Sequence, residues 1–167
     1  MTEVGRHPLL GGWRLRSWVS IADDGSEALP MGEAPDGLLA YTADGTMVGI
    51  MGPGDRPRFA TDDVTGGTTD EQAGAFATFI AYGGHWEAEG DTVTHQVETS
   101  LFPNWIGTAQ RRRWELDPTG RHLTLTSPPL VLGGAARIQR LRWERVDASR
   151  ATDRSMGSPP GDPRRAT

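Results

Sequence analysis

The chain has 167 residues, no cysteine and a formal charge of −5. That length suits one domain with its own core, and the missing thiols exclude disulfides, thiolate metal sites and a cysteine nucleophile. All 17 basic residues are arginine, which excludes a Schiff-base or P-loop lysine, and the mild acidity argues against a nucleic-acid partner.

Taken in order, Leu10 to Ile21 reads as a first strand, with Trp13, Leu15, Ser17 and Val19 inward and Arg14, Arg16 and Trp18 outward. A Pro/Gly-containing loop runs to Asp36. Gly37–Tyr41 and Thr46–Met51 then form a hairpin through Thr42-Ala43-Asp44-Gly45. Residues 52–68 carry too many Pro, Gly and Asp for regular structure and make a long loop; Arg56, Arg58 and Phe59 are its candidates to fold over a pocket mouth. Thr69-Asp70-Glu71-Gln72 has capping-box spacing, and Ala73 to Tyr82 follows as the one helix, with Phe76, Phe79, Ile80 and Tyr82 at helical spacing.

The most informative stretch comes next. Gly84–Glu89 and Thr92–Val97 flank Gly90-Asp91, a hairpin turn that pairs Trp86 with His95. Alternation then sets Trp86, Ala88, Val93, His95 and Val97 on one face. A second joint, Phe102–Gly107, leads into a strand to Leu116. Pairing Leu101 with Thr108 would set Val97 against Arg112, Glu98 against Arg111 and His95 against Trp114. Gln110, Arg112, Trp114 and Leu116 then face inward, with His95 and Arg112 a diagonal pair. Arg121–Thr126 and Arg137–Val146 are the last strands, separated by a Pro/Gly loop, with Leu141 and Trp143 inward. Residues 1–147 make the domain, and 148–167, nearly without apolar residues, are expected to be a disordered tail. About eight strands with one helix between strands three and four predict an all-β antiparallel barrel with room for one small ligand.

Several segments resemble the bacterial and fungal lipocalin-like domain family. They are Gly12-Trp13-Arg14-Leu15, Gly37 to Gly45, Phe79 to Gly83, Val93 to Glu98, Ser100 to Thr108, Arg112 and Leu141 to Arg145, with Leu101-Phe102-Pro103-Asn104-Trp105 the most specific. The resemblance spans roughly residues 8–146. It implies an up-and-down lipocalin-like barrel around a small-molecule cavity, and no particular reaction.

His95 is the candidate general base, because its ordinary pKa lies near neutrality; the competing role is a hydrogen-bonded core histidine. Arg112 is the candidate partner for a carboxylate or enolate oxygen; its competing role is to close the barrel end by stacking on Trp13. Tyr41, Met47, Trp86, Val97, Asn104, Trp105, Gln110, Trp114 and Trp143 are the candidate ligand-binding residues. His7, His85, His95 and His122 fit no metal-ligand spacing, and no Gly-rich loop precedes a helix. No metal and no cofactor are therefore expected. No apolar run reaches the roughly 20 residues of a membrane span, and residues 1–8 lack a signal-peptide core, so a cytoplasmic protein without a membrane partner is expected. A homodimer is left open. Two functions fit: a cofactor-independent, non-redox cyclase or isomerase of secondary metabolism acting on a small hydrophobic substrate, or a non-catalytic carrier for an apolar ligand.

Overall fold

A computed structural model describes residues 7–147, so the expected tail at 148–167 lies outside the described residues. The strands are β1 (Gly11–Ile21), β2 (Glu27–Ala28), β3 (Pro35–Tyr41), β4 (Thr46–Pro53), β5 (Ile80–Glu89), β6 (Thr92–Ser100), β7 (Ala109–Leu116), β8 (His122–Thr126), β9 (Leu130–Leu132) and β10 (Ala135–Arg145). One α-helix, α1 (Thr69–Ala77), and a 3-10 turn (Pro103–Trp105) complete the described elements.

Eight strands close on themselves in the order β1-β3-β4-β5-β6-β7-β8-β10, with β10 returning to β1 and every pairing antiparallel. Closure leaves no long edge able to recruit another chain. Only the short β2 and β9 hang on the rim, and both fall in stretches read from sequence as loop. Because β2 precedes the hairpin, the helix follows β4, which corrects its expected place between strands three and four. The helix is also displaced in sequence. Thr68 is the N-cap, its hydroxyl accepting from Glu71 N while Glu71 reaches back to Thr68 N. It ends at Ala77, and Ile80 and Tyr82 belong to β5.

The Trp86–His95 pairing is as the sequence predicts. The next register differs: Val93 faces Arg112, Thr94 faces Arg111 and His95 faces Gln110. This is a slip of four residues from the expected pairing. Its cause is that Thr99 and Ser100 stay paired with β5 while leaving β7, and Leu101 N donates to Ala81 O at 2.7 Å. The joint closes instead between Val97 and Thr108, through Val97 N to Thr108 O and Gly107 N to Val97 O, both 2.9 Å. An even slip preserves the faces, so Gln110, Arg112, Trp114 and Leu116 still alternate inward. The expected Glu98–Arg111 pair on the outer face is lost with the register.

The first strand also departs from simple alternation. A bulge between Leu15 and Ser17 inserts Arg16 as an extra residue and switches the phase. Trp18 and Ser20 turn inward beyond it, where the sequence pattern placed Ser17 and Val19. The core formed by these faces includes Trp13, Leu15, Leu39, Met47, Trp86, Val97, Leu123, Leu125 and Trp143. One end of the barrel is closed by the N-terminal segment, with the His7 ring 5.4 Å from that of Trp86 and 5.5 Å from that of Trp114. No helix among the described residues is long and apolar enough to cross a membrane.

Candidate functional site

Inside the barrel lies a cavity of about 30 Å³, and every one of the eight closed strands contributes to its wall. Most of that wall is apolar, from Trp18, Leu39, Met51, Ile80, Leu125, Leu130 and Leu141. The polar exceptions are His95, Tyr82, Arg112 and Gln139.

His95 is 1% exposed and is hydrogen-bonded at both ring nitrogens. Tyr41 Oη lies 2.7 Å from Nε2, and Tyr82 Oη lies 2.9 Å from Nδ1. Burial, aided by the Arg112 charge, lowers the His95 pKa to about 3. The ring is therefore neutral near pH 7, with one N–H to donate and one lone pair to accept. Tyr41 decides the tautomer. It is 2% exposed, does not line the cavity, and has His95 Nε2 as its polar contact. A Tyr41 that accepted from Nε2 would leave its own O–H buried and unpaired, which costs about 1–3 kcal/mol. Tyr41 O–H thus donates to Nε2, and Nδ1–H donates to the Tyr82 oxygen. Tyr82, which does line the cavity, keeps its O–H for something else. Burial raises the pKa of both phenols, with Arg112 opposing, so both are neutral donors.

Arg112 reaches the same cavity from β7. Its guanidinium donates to Arg111 O at 2.8 Å and to Gln110 Oε1 at 3.4 Å, and no carboxylate pairs with it among the described residues. The stacking role weighed for Arg112 belongs to Arg145. Its guanidinium sits 4.1 Å from the Trp13 ring and donates to Leu10 O, Pro8 O and Gly120 O at 2.7, 2.7 and 2.9 Å. Gln139 is already engaged: its Oε1 accepts from Trp18 Nε1 at 2.8 Å and its Nε2 donates to Ser20 Oγ and Arg137 O. Trp143 Nε1 is buried without a hydrogen-bond partner. Trp114 Nε1 is too, but it lies outside this cavity, and nothing in the structure accounts for it.

Of the residues singled out from sequence, His95, Arg112, Trp105 and Trp143 meet at the cavity. Tyr41 stands behind His95, and Gln110 holds Arg112 from the neighbouring position. Met47, Trp86 and Val97 are packed in the core, Trp114 faces the closed end, and Asn104 is exposed in the 3-10 turn. Arg56 is not at the cavity. It stacks on Phe79 at 4.2 Å and donates to Ala75 O, and Arg58 and Phe59 join it against α1.

Sequence reasoning missed Tyr82, Trp18 and Gln139. The signal for Tyr82 was present: Ile80, Tyr82, Gly84 and Trp86 alternate at period two, but the helical spacing from Phe76 masked it. A second, outer groove of about 180 Å³ is lined by Phe76, Phe79, Phe102, Val131 and neighbours. Ile80, Trp105 and Leu130 line both groove and cavity and form the wall between them.

A protein named 4'-hydroxy-3'-methoxypropiophenone carrier protein ppsC, from Aspergillus oryzae, is 33% identical to this chain over 105 residues. The match covers 58% of this chain and 93% of that protein. The model of the lipocalin-like domain family matches residues 10–146, through all eight strands of the closed barrel, and the chain belongs to that family.

Proposed function

We propose that this barrel is a carrier, binding one small apolar ligand and releasing it unchanged. The observation that carries this reading is the state of His95. Both of its nitrogens are engaged by tyrosines, and a base with a pKa near 3 is poorly matched to proton transfer at neutral pH. Most of the cavity wall is apolar, as binding of a hydrophobic molecule requires. The similarity to a protein named as a carrier of an aromatic ketone points the same way.

A cavity of about 30 Å³ admits only one or two water-sized groups. Most of the ligand must therefore lie in the groove of about 180 Å³ beyond Trp105. The test is a titration of the protein with 4'-hydroxy-3'-methoxypropiophenone, followed by tryptophan fluorescence, with recovery of the compound after long incubation at stoichiometric protein. Saturable one-to-one binding and unchanged compound are expected. Formation of a product that His95→Gln no longer makes would replace the carrier with the cyclase or isomerase reading.

A further inference from the structure

The cavity and the groove differ in kind. The groove is apolar, with Phe76, Phe102 and Val131 left 49%, 45% and 69% exposed along it, an apolar surface of the sort that marks a binding site. The cavity is too small for a molecule, and its free polar groups are donors. Tyr82 O–H is released by the His95 tautomer, Trp143 Nε1–H is buried without a partner, and Arg112 keeps guanidinium N–H groups beyond the two it uses. Of the lining side chains with an acceptor oxygen, Gln139 has already given its own to Trp18, and the Tyr82 oxygen accepts from His95 Nδ1–H.

The ionisable groups facing the cavity are His95, Tyr82 and Arg112, with Tyr41 behind His95. Only Arg112 carries charge near neutral pH, and among the described residues no carboxylate neutralises it. A half-buried cation that no carboxylate pairs, set among other donors, favours the arrival of an anion.

Resting on the carrier reading, we infer that the cavity is an oxyanion pocket. It takes the ionised oxygen of an aromatic ligand whose hydroxyl is acidified by conjugation to a carbonyl. The ring and alkyl portion lie in the outer groove, and the oxygen passes between Trp105, Ile80 and Leu130 to Tyr82 and Arg112. The phenol proton leaves to solvent on binding, and no covalent bond to the protein forms. His95 is a positioning residue here: its Nδ1–H holds the Tyr82 oxygen so that the phenolic O–H points onward.

The experiment compares 4'-hydroxypropiophenone with 4'-methoxypropiophenone, which has nearly the same shape and cannot ionise. Both are titrated in buffer below the pKa of the free phenol, and the long-wavelength phenolate absorption is read alongside affinity. The hydroxy ketone is expected to bind roughly tenfold to a hundredfold more tightly, the scale of one hydrogen bond to a charged group, and to show the phenolate band when bound. Arg112→Gln and Tyr82→Phe should each lose band and preference while still binding the methoxy ketone, which shows that they are folded. Equal affinities, or binding of the hydroxy ketone without the band, would overturn the oxyanion pocket and leave the carrier reading standing. Binding of neither ketone would overturn both.

Discussion

At the scale of single residues, the chemistry turns on where three hydrogens sit among Tyr41, His95 and Tyr82. Neutral His95 makes stability depend on pH in a definite direction. The unfolded chain takes up the proton near pH 6.5, whereas the folded chain resists it until about 3. Between those values the unfolded state holds more protons, so stability falls as pH falls, by up to about 1.4 kcal/mol per pH unit. His7, also lowered by burial, contributes in the same sense. Urea midpoints measured between pH 6.5 and 5, above the range where the carboxylates titrate, should drop steadily in the wild type. His95→Gln should flatten that slope while lowering stability throughout. Tyr41→Phe removes the donor to Nε2 and leaves a buried acceptor unpaired. A loss of about 1–3 kcal/mol in denaturant unfolding is expected, with the fold intact by circular dichroism.

At the scale of elements, two contacts hold strands where the cavity needs them. Arg145 ties β10 to the N-terminal segment and to the β7–β8 turn through three carbonyls and the Trp13 face. Arg145→Met should cost about 2–4 kcal/mol, since it leaves carbonyls unpaired and removes the cation–π contact. Thermal melts measure that loss, and Arg145→Lys should recover only part of it, because one ammonium cannot reproduce the planar fork. The β5–β6 pair has its own weak point at the irregularity between Gly83 and Gly84. A Cβ at Gly84 would meet Gln96 O at 1.9 Å, so Gly84→Ala must push the strands apart just beside the Trp86–His95 pair. Loss of the Tyr82–His95 hydrogen bond, visible as a shift of the imidazole NMR signals, is the expected consequence.

For the whole molecule, the carrier reading gives the ligand one way in, from the outer groove past Trp105. The N-terminal segment blocks one end, and at the other Trp105 packs edge-on against Tyr82 at 5.4 Å between cavity and groove. Trp105→Ala should speed association several-fold in stopped-flow fluorescence and speed dissociation more, because it removes both the barrier and a wall of the site. The loop that the sequence offered as a lid is held against α1 and the groove residue Phe79, with Arg56 on the Phe79 ring and Ala60 N on Glu71 Oε1 at 2.9 Å, and not over the cavity.

The sequence by itself determined the barrel, because alternation, turn residues and a single helical stretch leave few ways to bury so many inward faces. It also determined that Trp86, His95 and Arg112 share the interior, because a face is a local property of strand parity and survives an even slip in register. What only the tertiary structure decided were the pairings that depend on residues far apart in the chain. The bulge at Arg16 turned Trp18 inward, and β5 held Ser100 and so moved β7 by four residues. Arg145, not Arg112, reached Trp13. Tyr41 and Tyr82 met His95 from strands 54 and 13 residues away. No local pattern encodes which nitrogen of a histidine a distant hydroxyl will reach; closure of the barrel brings them together, and burial makes the hydrogen-bond pattern binding on all three.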